Sequence, residues 1–243
     1  MFGESVRGHQ WHNGGAYAEY VSVPEAALAL KPANLTFAQA AAVPTSGFIA
    51  LQGLRGEGQL RPGQKVLING LGGAVGTFAV QLAKAYGAHV TGVDSTGKLD
   101  MLRALGADRV IDYTREDFTR SGERYNLILD IPGNHSFSDC RRALIPKGTY
   151  VLIGHDHFGA SGGHWMGSMP RALSLVALSP FVSQLPRLRT LKQTEHRLAV
   201  LKELIEAGKI TPVIDRTYPL SEVPEAIRCM ATGHAQGRVV ITV

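Results

Sequence analysis

From Lys65 onward, short apolar runs alternate with longer stretches of helical spacing. The runs are Lys65–Asn69, His89–Asp94, Arg109–Asp112, Tyr125–Ile131 and Thr149–Gly154. Each is rich in Val, Ile or Leu, and no hairpin signal stands between any two, so the pattern predicts parallel strands buried on both faces. The stretches between them predict helices: one to about Tyr86 and closed by Gly87, one over Lys98–Leu105 stopped by Gly106, and one over Ser136–Leu144. Five such units in succession are an α/β fold, a doubly wound parallel sheet.

The flanks read differently. Ahead of the sheet, Ala16–Val23 alternates like a strand stopped by Pro24, Thr36–Val43 reads as a helix with Thr36 as N-cap, and Ser46–Leu54 as a second helix. Beyond Gly154 comes GHDHFGASGGHWMGS, long enough to be a candidate binding loop or lid. Two helices follow, Pro170–Val182 and Glu195–Ala207. The tail then predicts a strand (Val213–Tyr218), a helix (Leu220–Thr232) and a closing strand (Gly237–Val243).

The chemistry concentrates where the first strand meets its helix, at Gly70-Leu71-Gly72-Gly73-Ala74-Val75-Gly76. Glycines at 70, 73 and 76 permit a tight turn and close approach of a pyrophosphate, and the amides and dipole of a helix N-terminus stabilise its charge. A tight strand-to-helix turn alone also favours glycine, so position matters more than spacing. The residues ending the second strand, Asp94-Ser95-Thr96-Gly97-Lys98, fall about twenty positions on, where such a fold meets the adenosine ribose. Asp94 suits a ribose diol and hence NADH; Ser95, Thr96 and Lys98 suit a 2′-phosphate and hence NADPH. A carboxylate about 5 Å from a phosphate costs on the order of 3 kcal/mol, so the two signals compete. Ser95 and Thr96 also read as N-cap residues for the next helix.

Composition narrows the class. Of 243 residues, 44% are hydrophobic and 19% charged, a globular profile that excludes a disordered or fibrous chain. The formal charge is +5, but Lys and Arg are scattered, so nothing points to nucleic acid. Cys140 and Cys229 are too few for a disulfide framework or a Cys-rich zinc site and suit a reducing compartment. The first residues lack a basic-then-apolar leader pattern, and Ala172–Val182 is broken by Pro180. The expectation is a cytoplasmic protein without signal peptide or membrane span.

With these residues in view, the sequence resembles the medium-chain dehydrogenase/reductase superfamily, in its zinc-less branch of quinone oxidoreductases and ζ-crystallin-like enone reductases. The resemblance rests on GGAYAEYVSVP, AAVPTSGFIALQ, RPGQKVLINGLGGAVGTFAVQLAKAYGAHVTGVDST, LGADRVIDYTREDF, EAGKITPVIDRTYPLSEVPEAI and GRVVITV, in the family's order. It implies a Rossmann coenzyme domain (35–210) flanked by parts of a GroES-like β domain (1–34 and 211–243). It also implies an NADPH-preferring oxidoreductase, with NADH as the other coenzyme, reducing a quinone, enone or related carbonyl, and acting as a homodimer. Gly70, Gly73, Ala74 and Val75 would hold the pyrophosphate, Lys98 and Tyr113 the adenosine phosphate, and Thr45 and Gly154 would flank the nicotinamide.

Three departures qualify the match. Thr45 stands where zinc-dependent members have Cys, so no zinc is expected. The segment Gly233-His234-Ala235-Gln236 stands where some relatives have Arg, with Arg238 nearby. Met1 falls where relatives are already well inside their catalytic domain, so the chain reads as N-terminally truncated. His9, His12, His155, Asp156 and His157 lack the i, i+4 spacing of a zinc helix; with His164 and Trp165, the last three sit past the fifth strand, where a substrate side would lie. Two other readings remain at this point: a cofactor-binding module without catalysis, and an alcohol dehydrogenase of the same superfamily. No residue is singled out as catalytic.

Overall fold

The computed structural model describes residues 1–3, 17–154, 169–186 and 194–243. The histidines at 9, 12, 155, 157 and 164, with Asp156, Trp165 and the predicted binding loop after Gly154, lie outside the described residues. Phe2–Gly3 (β1) and Leu28–Ala29 (β2) pair antiparallel. Phe37–Ala42 (α1) opens on the expected Thr36 cap: Gln39 N–H donates to Thr36 Oγ1 at 3.2 Å while Thr36 N–H donates to Gln39 Oε1 at 2.9 Å. Pro44–Leu51 (α2) starts two residues before the expected Ser46, because proline suits the first helical position, and runs on into a π turn over Gln52–Glu57.

Then comes the sheet. Lys65–Asn69 (β3), Ala74–Ala85 (α3), His89–Asp94 (β4), Leu99–Ala104 (α4), Arg109–Asp112 (β5), Tyr125–Asp130 (β6), Phe137–Arg142 (α5) and Leu144–Leu152 (β7) follow in chain order. The five strands are all parallel, in the order β5-β4-β3-β6-β7. Alternation along β3 shows the two faces: Val66 and Ile68 pack with Phe78, Leu82, Leu198 and Leu201, whereas Leu67 packs with Val93, Ile111, Phe118 and Tyr150. Both faces are buried, as the apolar runs required. The order reverses between β3 and β6, so the crevice at the carboxyl ends of those two strands is the place for a ligand.

Met169–Leu178 (α6) and Thr194–Glu206 (α7) follow, then Ile214–Pro219 (β8), Val223–Ala231 (α8) and Arg238–Thr242 (β9), with β8 and β9 parallel. Three sequence expectations are corrected. Residues 17–23 form no strand, and Tyr17, Tyr20 and Val21 are exposed; a strand needs a neighbour for its backbone groups, and no described residue lies alongside as one. Strand β7 begins at Leu144, five residues early, because an irregularity after Tyr125 lets β6 pair with both ends of it. Helix α6 ends at Leu178, short of the expected Val182, since Pro180 restricts the residue before it and supplies no N–H. Among the described residues no helix is long and apolar enough to cross a membrane.

Candidate coenzyme-binding site

The loop after β3 turns at Gly70, whose φ of +78° is open to glycine at little cost. Gly70 and Leu71 donate their N–H groups to Val93 O at 3.0 and 3.2 Å, which lays the loop across the end of β4. Gly73 is then the N-cap of α3 and offers no side-chain cap, so the amides of Ala74 and Val75 keep their hydrogens for a ligand. A Cβ placed on Gly73 would meet nothing nearer than Gly70 O at 3.6 Å. It would project into the cradle that a pyrophosphate needs, so the residues fit such a group.

Asp94 closes β4 and is 7% exposed. Its Oδ2 accepts the Gly72 N–H at 2.8 Å, its Oδ1 accepts the Ser95 N–H at 2.8 Å and the Ser95 hydroxyl at 3.3 Å, and Lys98 Nζ lies 3.8 Å from Oδ1. Asp94 is therefore turned into the glycine loop, with a cation beside it. Ser95 and Thr96 do not cap the following helix through their side chains: Thr96 donates its hydroxyl to Asp112, which with a second bond from Thr114 holds the Asp112 carboxyl below its ordinary range. Tyr113 follows Asp112, donates its N–H to Asp94 O at 3.2 Å and exposes its ring (56%).

Of the residues expected from the sequence, Gly70, Gly73, Ala74, Val75, Asp94, Ser95, Thr96, Lys98 and Tyr113 thus converge at the carboxyl ends of β3, β4 and β5. Gly154 lies just past the end of β7, on the same rim, with φ +70°. Thr45 is half-buried in the first turn of α2, and no hydrogen bond ties it to the loop among the described residues. Sequence reasoning passed over Gly72 and Gly237. Gly237 N–H donates to Gly72 O at 3.1 Å, bringing the start of β9 onto the loop from 165 positions away, which no local pattern could signal.

A family profile described as zinc-binding dehydrogenase matches residues 105–241. The NAD(P)H oxidoreductase RTN4IP1, mitochondrial, of Mus musculus is 34% identical over 259 residues, covering 94% of this chain and 61% of that protein. The 2-methylene-furan-3-one reductase of Solanum lycopersicum is 36% identical over 232 residues, covering 93% and 52%. Among solved structures, the quinone oxidoreductase from Coxiella burnetii superposes with a TM-score of 0.75 at 28% identity, covering 91% of this chain and 65% of that one. The chain belongs to the zinc-binding dehydrogenases of the medium-chain dehydrogenase/reductase superfamily. It spans 61% of the mouse relative and 52% of the tomato one.

Among the described residues, the zinc of the family's description finds no matching ligand set. Among the described residues no three His, Cys, Asp or Glu side chains converge, and Thr45 supplies no thiolate. Cys140 is buried, and burial together with nearby Asp130 pushes its thiol well above the usual range, so it stays protonated and inert.

Proposed function

We propose that this member of the superfamily is a zinc-independent NAD(P)H oxidoreductase acting on a conjugated carbonyl, an enone or a quinone. The carrying observation is the uncapped N-terminus of α3 beside the open face of Gly73, at the point where the strand order reverses. Residues 35–210 would form the coenzyme domain, with 1–34 and 211–243 belonging to a GroES-like β domain. A nicotinamide coenzyme bound here supplies a hydride. The chain's own part is to hold and orient: Gly73, Ala74 and Val75 at the pyrophosphate, Ser95, Lys98 and Tyr113 at the adenosine end, Gly154 and Thr45 toward the nicotinamide. The acceptor class rests on the names of the tomato and Coxiella proteins. A homodimer in a reducing compartment completes the proposal, the latter on two free thiols. The test is titration with NADPH, then NADPH consumption with benzoquinone and cyclohexenone. Binding and turnover are expected; a dissociation constant above about 1 mM for both NADPH and NADH would end this reading.

NADPH is the proposed coenzyme, because Asp94 is turned inward to the Gly72 N–H with the Lys98 ammonium beside it, which makes Ser95 and Lys98 the candidate partners of a 2′-phosphate. Lys98→Met should weaken NADPH about tenfold and NADH much less. Asp94→Asn is the matching variant, since Asn keeps an acceptor for Gly72 N–H that Ala would remove; it should raise the NADPH-to-NADH affinity ratio. If the parent binds NADH tenfold more tightly than NADPH, the preference is reversed.

The purified protein is expected to hold much less than one zinc per chain and to keep its melting temperature in chelator. Elemental analysis near one zinc per chain would bring the histidine clusters forward as ligands.

A further inference from the structure

Two residues at the end of β3 carry a chemistry that coenzyme binding does not account for. An asparagine followed by glycine is the dipeptide most open to spontaneous loss of its side-chain amide, because no side chain on the second residue hinders the approach of its backbone nitrogen. Asn69, the last residue of β3, and Gly70 form such a pair. Glycine is required at the second position: its φ is +78°, and a Cβ there would lie 2.8 Å from Pro132 Cδ. The turn that opens the loop therefore imposes the reactive pair on the chain.

The fold restrains both reacting groups. Ring closure needs the Gly70 nitrogen to give up its hydrogen and reach Asn69 Cγ. In the folded chain Gly70 N–H donates to Val93 O at 3.0 Å and Asn69 O accepts from Ile131 N–H at 3.2 Å, so the backbone is fastened to the ends of β4 and β6. The Asn69 side chain is buried and its Nδ2 donates to Asp130 Oδ1 at 2.9 Å and to Asn134 Oδ1 at 3.0 Å. Asp130, fully buried at the end of β6, also accepts from Gly133 N–H at 3.0 Å on Oδ1 and from the Tyr150 hydroxyl at 2.7 Å on Oδ2. Burial, reinforced by the Asp130 charge, pushes the Tyr150 phenol above its ordinary range, so it remains a donor. Arg171, in the first turn of α6, donates to the Tyr150 oxygen at 3.0 Å and to the carbonyls of Gly133 and His135, so its guanidinium is already engaged by three oxygens. A carboxylate only accepts, so an aspartate at 69 would set oxygen against oxygen and like charge against like charge where Asn69 now donates to Asp130.

We infer that Asn69-Gly70 is a latent deamidation site, closed while β3, β4 and β6 stay paired and leaving a product that the folded chain cannot accommodate. When the turn opens locally, the Gly70 nitrogen attacks Asn69 Cγ: a C–N bond forms, the Cγ–Nδ2 bond breaks, and the Gly70 proton leaves with the amide nitrogen as ammonia. Water then opens the ring at either carbonyl and leaves aspartate or isoaspartate, with no change of oxidation state. The test is incubation of the full chain at mildly alkaline pH, folded and in guanidinium chloride, followed by peptide mapping. The sequence repeats the pair at Asn13-Gly14, so the map follows the two sites separately. Conversion at Asn69 should be about 100-fold slower in the folded chain than in the unfolded one. Equal rates overturn the gating. Asn69→Asp, the product made directly, should melt about 10 °C below the parent. Adding Asp130→Asn restores a donor opposite the new carboxylate and should recover much of that loss. A single variant that melts like the parent, or a double variant that recovers nothing, overturns the account of why the product is not tolerated. If the single variant does not fold, folding of the double variant upholds that account and its failure to fold overturns it.

Discussion

Gly73→Val is expected to fold like the parent and to lose NADPH and NADH by about 100-fold or more, ~2.7 kcal/mol. The backbone there has φ −83° and ψ 178°, ordinary extended geometry that valine adopts readily, and the new Cβ would have only Gly70 O near it, at 3.6 Å. The fold therefore loses little. The branched methyls would occupy the space beside the Ala74 and Val75 amides, so a pyrophosphate could no longer reach them. Fluorescence titration checks the affinity and circular dichroism checks the fold. Unchanged affinity in a folded variant would remove the loop from the site.

Gly76→Ala, three residues on, is expected to do the reverse. Its Cβ would fall 2.2 Å from Leu71 O and 2.5 Å from Leu71 C and Cα, all backbone atoms. Leu71 cannot yield: its side chain is fully buried and its N–H is bonded to Val93 O. Overpacking against fixed backbone should cost about 3 kcal/mol, roughly 6–12 °C in melting temperature for a domain of this size. The surviving folded fraction should still bind coenzyme. A thermal melt that matches the parent would show that α3 can shift away from Leu71, contrary to the packing described.

The two variants show what a motif leaves open. The spacing Gly70-x-x-Gly73-x-x-Gly76 treats its glycines alike, yet a Cβ at Gly73 would have open space whereas one at Gly76 would meet the Leu71 backbone, so only the second is required by the packing of α3 on its own loop. Asp94 is a similar case. Its position after the second strand marks it as a candidate ribose partner, but whether its carboxylate faces outward or into the protein depends on where Gly72 N–H and Lys98 Nζ lie in space. That orientation makes Asp94→Asn, which keeps an acceptor for Gly72 N–H, the informative variant.

The sequence by itself determined the central sheet. Strands β3, β4 and β5 begin and end at the residues expected, because a strand buried on both faces must be a continuous apolar run and the polar residue ending it is visible. It also determined the α1 cap, since a capping box is local, Thr36 to Gln39. Tertiary structure alone decided the rest. The false strand at 17–23 had the right alternation but no neighbour in space, and β7 took its length from pairing with β6. Asn69, Asp130, Asn134, Tyr150 and Arg171 are each unremarkable polar residues until the reversal of strand order between β3 and β6 brings them together. Periodicity reports which face of an element is buried, whereas a buried hydrogen-bond network depends on contacts between residues tens of positions apart, which are made only when the chain has folded.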